Sequence, residues 1–236
     1  MKNFSLPGLR KWGLHIKIIR TKAGFTLIEM ALVLVIVGVL IAGILNSQNI
    51  IEGSRAKDIV TTIGDIKTAT AYFRDRYHYL PGDLPAPGVV IVVVPALVAG
   101  TGGVNGNGAI DGAVSVITGL ATAGSEVAEA PWQLYSAGFI EKINGGAAAP
   151  ATQRRLSTRY GAIQMVSAAT ANGLVAGFTA ANPSARNAIV LQNLTCEIVT
   201  EIDNKIDDGQ LTLGHAMMAA PACVSGATVP WYAVAL

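Results

Sequence analysis

The arrangement of apolar and polar positions changes character near residue 45. From Phe25 to Leu45 the chain is apolar over 21 residues with one charge, Glu29; at a helical rise of 1.5 Å per residue this stretch covers about 31 Å, one bilayer core. Beyond it the pattern becomes periodic. Ile59, Ile63, Ile66, Thr70, Phe73 and Tyr77 recur every three or four positions, with Arg55, Lys57, Asp58, Asp65 and Lys67 free for the other faces, which predicts an amphipathic helix continuing to about Tyr79. Leu80-Pro81-Gly82-Asp83-Leu84-Pro85 then breaks it, because proline lacks the donor and glycine supplies turn geometry. No proline interrupts Phe25 to Leu80, so Gly53 and Gly64 are the candidate bends, while Gly38 and Gly43 thin the apolar run for close helix approach.

Past the breaker the pattern is shorter-ranged. Residues 86–99 are Val- and Pro-rich and predict a buried extended segment. Residues 100–112 form a Gly/Asn loop, and Pro131 to Ile140 predicts a short helix capped by Gly138, with Trp132, Leu134 and Tyr135 turned to the core. Ala162–Val166, Leu174–Phe178 and Ala188–Leu191, separated by Asn/Gly/Pro turns, predict a three-strand antiparallel meander. Leu194, Ile198, Ile202 and Ile206 step at four, predicting a helix that ends at Asp207-Asp208-Gly209.

Glu29 poses the chemical question. A carboxylate in a membrane segment costs roughly 2.5–3.5 kcal/mol at the bilayer centre and calls for a partner. A secretory signal would be cut after its apolar core, whereas here Asn46-Ser47-Gln48-Asn49 follows the run. Cleavage before the run, between Gly24 and Phe25, would create an α-amine four residues from Glu29, and a neighbouring copy shifted along the helix axis could bring that amine to the carboxylate. Lys22-Ala23-Gly24 followed by Phe25-Thr26-Leu27-Ile28-Glu29 and an apolar helix resembles the processing site of type IV prepilins and type II secretion pseudopilins.

The resemblance implies a prepilin peptidase that cuts after Gly24 and N-methylates Phe25. It further implies that Glu29 is needed for assembly, and that the single-pass inner-membrane subunit is drawn by an inner-membrane assembly platform into a periplasmic or extracellular filament of its own copies. It divides the chain into a leader over 1–24, a helix over 25–80 whose 25–45 part is membrane span and filament core, and a head over 81–236. The fold class expected is α+β, a long N-terminal helix packed on a small antiparallel sheet with a C-terminal disulfide region. A plain membrane anchor would account for the apolar run and its basic flank, but not for Gly-Phe-Thr-Leu-Ile-Glu at its start.

Charge and cysteines sharpen this picture. Residues 1–24 hold six Lys or Arg and no acid, so the remainder carries 11 basic against 15 acidic residues. A mildly acidic product argues against nucleic acid as partner, since phosphate binding needs clustered cations; Arg74/Arg76 and Arg154/Arg155/Arg159 read as solvated faces or ion pairs. The basic leader holds the N-terminus in the cytoplasm and exports the head to a compartment where disulfides persist. Cys196 and Cys223 are therefore expected to pair, contributing on the order of 3–4 kcal/mol by loop closure, with two unpaired buried thiols as the alternative.

In the Gly/Asn loop, Asn105, Asn107 and Asp111 space oxygens as a calcium loop does, with Glu126 or Glu129 as added ligands, and the loop resembles calcium loops of some pseudopilins. It lacks the first Asp and the twelfth Glu of an EF-hand; a metal-free surface loop is the competing reading, and no other cofactor is implied. No G-x-S-x-G, H-E-x-x-H, G-x-G-x-x-G or phosphate-loop pattern occurs. His78 and His215 have no nucleophile or ligand set beside them in sequence, which leaves a filament subunit, or a minor subunit that binds secreted protein, DNA or a surface, ahead of an anchored enzyme.

Overall fold

A computed structural model describes residues 24–93, 96–141, 143–144, 154–156, 160–219 and 223–236, the side chains of 45–49 excepted. The expected leader and Arg159 thus lie outside the described residues, apart from Gly24. The chain forms two compact units, Met1–Asn46 and Ser47–Leu236, with helix α1, Leu27–Tyr77, running through both. Within the first unit every described residue is exposed, and the Leu27–Ile44 window has a mean hydropathy of 2.8.

In the second unit α1 buries Ala56, Ile59, Ile63, Ile66, Ala69, Thr70 and Phe73, the stripe that a period of 3.6 puts on one face. The helix stops at Tyr77, two residues before the expected end. His78 takes a left-handed φ of 62° and its N–H bonds the Arg74 carbonyl at 2.8 Å, a left-handed C-terminal cap. Phe73 packs on Tyr77 and Phe139 with ring centroids 4.7 and 6.0 Å apart, an aromatic cluster at the end of the helix. The breaker that follows is not a surface turn: Leu80 through Leu84 are buried.

The head is built on a six-stranded antiparallel sheet. Its strands are β1 (Ile143–Asn144), β2 (Arg155–Leu156), β3 (Ile163–Ser167), β4 (Asn187–Thr195), β5 (Ala216–Met218) and β6 (Thr228–Ala235), in the order β1-β2-β3-β4-β6-β5. Central β4 pairs with β3, Met165 opposite Ile189, and with β6, Leu191 opposite Tyr232. Both faces of this centre are covered. Thr70 of α1 donates to Met165 Sδ at 3.4 Å, while neighbouring Gln164, turned to the other face by strand alternation, donates to the Gly119 carbonyl at 3.2 Å.

Four expectations are corrected. Leu174–Phe178 is not a strand, for β3 runs directly into α4 (Ala168–Leu174), capped by Ser167, and Gly177 at φ 90° opens α5 (Phe178–Ala181). The third strand of the sheet's centre is instead β6, which sequence reading left unassigned. Residues 86–99 are not a buried extended segment: Pro87–Val90 makes the short helix α2, and Val89 and Val92 stand exposed, with 94–95 outside the described residues. The helix expected from Pro131 begins at Glu126, because Ser125 caps it by accepting the Ala128 N–H; this α3 (Glu126–Ser136) turns Trp132 and Leu134 inward, but leaves Tyr135 exposed and stacked on Trp132 at 5.5 Å. The last helix, α6 (Cys196–Ile206), ends at Asp207 as read.

Candidate functional site

At the N-terminus, Gly24 and Phe25 are exposed and non-helical, so the peptide bond between them lies outside α1. Thr26 is the helix N-cap. Its carbonyl accepts the Met30 N–H at 3.2 Å, its Oγ1 accepts the Glu29 N–H at 3.2 Å, and Glu29 Oε2 accepts in return from the Thr26 N–H at 3.2 Å. This is a reciprocal capping box, in which the third helical residue reaches back to the cap and satisfies two orphan donors. Thr-x-x-Glu is legible in the sequence as a capping pattern, although the charge of Glu29 by itself calls for an ionic partner. The box gives the carboxylate neutral donors and the favourable end of the helix dipole; it supplies no countercharge. From Leu27 to Ile44 the apolar side chains beyond it are exposed, with no cover among the described residues.

In the head, the Gly/Asn loop is organised by a residue outside it. Asp83, 1% exposed, accepts from the backbone N–H groups of Gly106, Asn107 and Gly108. Burial and the neighbouring Asp111 hold its carboxyl above the usual range, against the pull of those three donors. Asn107 donates to Asp111 Oδ2 at 2.9 Å, and Asn107 Oδ1 accepts the Ala109 N–H at 2.6 Å. Glu126 is fully buried; its Oε2 takes the Asp111 N–H at 2.7 Å, and the Asn105 amide nitrogen reaches its Oε1 at 2.7 Å and the Gly100 carbonyl at 3.0 Å.

Desolvation, with Asp83 and Asp111 nearby, pushes the Glu126 carboxyl up to about 7. Glu129 belongs to another group. It pairs with Arg154 at 3.1 Å, and that guanidinium lies over the Trp132 ring, 5.1 Å from its centroid. The oxygens proposed from sequence as calcium ligands at Asn107, Asp111 and Glu126 thus each meet a donor of the protein itself, and among the described residues no three His, Cys, Asp or Glu side chains form a group able to hold a metal ion.

At the far end of the head Cys196 and Cys223 form a disulfide with Cα atoms 5.5 Å apart. It ties the first turn of α6 to the approach of β6, and Glu197 adds to the tie by accepting from Ser225 Oγ at 2.7 Å and the Gly226 N–H at 2.6 Å. Deeper, the Tyr232 hydroxyl donates to Asp203 Oδ1 at 2.7 Å. Burial raises both groups, and the Asp203 charge raises the phenol further. No sequence motif announced this pair, since its partners lie on elements joined only by the fold. Asp207, the residue at which α6 ends, accepts the Ala216 N–H at 2.8 Å and so fixes the start of β5.

Residues 19–45 match the family model described as the prokaryotic N-terminal methylation motif. The match spans the Gly24–Phe25 bond and the exposed apolar half of α1, and is consistent with the type IV pilin and pseudopilin family. No curated protein and no solved structure matches the chain.

Proposed function

From the methylation motif over residues 19–45 as premise, we propose that the chain is a structural subunit of a type IV pilus or pilus-like filament, cut between Gly24 and Phe25 and polymerised through its N-terminal helix. The observation that carries this reading is the joining of that motif to an apolar helical surface, Leu27–Ile44, left uncovered among the described residues. In a monomer the surface requires a bilayer; in a filament it packs against other copies, and because successive copies meet head to tail, the contact repeats without closing.

Cleavage makes the Phe25 α-amine, and an axially shifted neighbour brings that cation to the Glu29 carboxylate that Thr26 has already oriented. The mechanism is assembly, not turnover. An ion pair removed from water is favourable only when both charges are well partnered, and the capping box supplies Glu29 with the additional donors. N-terminal mass analysis of the mature protein tests the processing step: a peptide beginning at N-methylated Phe25 is expected, and a mature product that still begins at Met1 overturns it.

A further inference from the structure

A second feature of the head is unrelated to polymerisation. A cavity of about 530 Å³ lies between the end of α1, the Gly/Asn loop and the turn before β4, within the size range of small-molecule pockets. Lys67 and Arg74 line it from α1, His78 from the left-handed cap that follows, and Ser184 and Arg186 from the turn before β4. Positions 67 and 74 fall on one stripe of the helix, since a step of seven residues returns to nearly the same face.

Its cations are not neutralised in the usual way. The ion pairs among the described residues are Arg154–Glu129 and Lys205–Glu201; Lys67, Arg74 and Arg186 have no acid within the 4.0 Å that defines such a pair. Asp83 and the C-terminal residue Leu236 also line the cavity; the Asp83 oxygens are occupied by the N–H groups of residues 106–108, and the Leu236 carboxylate forms no ion pair with these cations among the described residues. Arg186 is held in place by one bond, Nη1 to the Asn107 carbonyl at 2.8 Å, which leaves most of its five N–H donors to the cavity. Burial pulls the Lys67 ammonium below its ordinary value, a cost that an incoming anion would relieve.

We propose that this cavity binds a sugar-sized ligand carrying a carboxylate or phosphate group, with Arg74 and Arg186 gripping the oxyanion and Lys67 supplying a third charge. Two planar guanidinium forks suit oxygen pairs of either group, so the shared chemistry is the oxyanion, and its source is either an acidic sugar or free phosphate. The binding does not depend on the filament reading.

The test uses the full mature chain, solubilised in detergent at low salt, titrated calorimetrically with glucuronate, uncharged glucose and inorganic phosphate. Binding of glucuronate or phosphate at millimolar or lower concentration, with none for glucose, is expected. Glucuronate alone identifies the acidic sugar, phosphate alone the free anion, and binding of both the oxyanion as such. Arg74→Gln and Lys67→Gln should each weaken binding about tenfold or more, Arg74→Lys should recover part of it, and Arg55→Gln, outside the cavity, should leave it unchanged. All are to be compared at equal ligand-free melting temperature. Absence of binding by both anions, or binding that survives the Arg74→Gln/Lys67→Gln double variant, overturns the proposal.

Discussion

At the scale of single residues, substitution can separate the capping role that Glu29 has in the structure from the countercharge role proposed for it. As the third residue of a capping box it needs a side-chain acceptor, which glutamine also provides; as a countercharge to a neighbour's α-amine it needs ionisation, which glutamine lacks. Glu29→Gln should therefore keep the helix start, losing at most a few tenths of a kcal/mol, while filament yield falls as far as in Glu29→Ala, whose lost cap costs about 1 kcal/mol in addition. Sheared-filament yield beside circular dichroism of the solubilised subunit reads both. Filaments at normal yield from the glutamine variant would leave Glu29 only its capping role. Glu126 offers a second residue-scale test. Its carboxyl titrates near 7 in the fold against an ordinary value near 4.3, so between those limits the folded head holds a proton that the unfolded chain releases. Stability contributed at low pH is then lost as pH rises through this window, on the order of 1–3 kcal/mol in all. Glu126→Gln, which keeps an acceptor for the Asp111 N–H, should flatten the fall in melting temperature between pH 5 and 8 and raise stability at pH 8. Because the loop's oxygens meet protein donors, a chelator should leave the wild-type melting temperature unchanged; a drop on chelation would show that calcium holds the loop.

At the scale of elements, the breaker after α1 is a structural wedge. Gly82 has φ 91°, its N–H donates to buried Gln133 Oε1 at 2.7 Å, and a Cβ there would meet the Glu126 carbonyl oxygen. Gly82→Ala should consequently destabilise the head by about 2 kcal/mol or more, from left-handed strain together with the clash, read as a lower melting temperature with secondary structure retained below it. The sequence identified Leu80–Pro85 as a breaker because local turn chemistry is written in Pro and Gly, but its burial depends on α3 lying over it, 40 residues on. The same division runs through the fold. The apolar run, the Ile59–Ile63–Ile66 stripe, α6 and the cysteine pair were legible because each rests on periodicity or compartment. Leu174–Phe178 was misread because a short apolar run fits strand and helix alike; Ser167 capping α4 and left-handed Gly177 decide it. β6 escaped notice because Pro230 interrupts its pattern and its partner β4 lies some 40 residues upstream, a pairing no local signal encodes. The cationic cavity was equally hidden, since Arg74 and Arg186 lie far apart in the chain and line one cavity only in the fold.

At the scale of the whole molecule, one helix serves two surfaces, and the border between them can be located by truncation. Up to Ile44 every side chain of α1 is exposed among the described residues; from Ala56 onward it supplies Ile59, Ile63, Ile66 and Phe73 to the head core at 0–2% exposure. A chain beginning at Ser47 retains every buried residue of α1 and should be water-soluble, monomeric and cooperative in unfolding, with its disulfide intact. One beginning at Gly64 loses Ala56, Ile59 and Ile63. Each fully buried isoleucine is worth roughly 1.5–3 kcal/mol, so the loss approaches the 5–15 kcal/mol that holds a typical domain folded, and this shorter chain should aggregate or melt without a sharp transition. Comparing the two by thermal melting and size-exclusion chromatography separates the part of α1 that serves the head from the part left for a membrane or a neighbour. Cooperative folding of the Gly64 chain would mean that the sheet and α3 close a core without the helix, and aggregation of the Ser47 chain would mean that residues before it belong to the head.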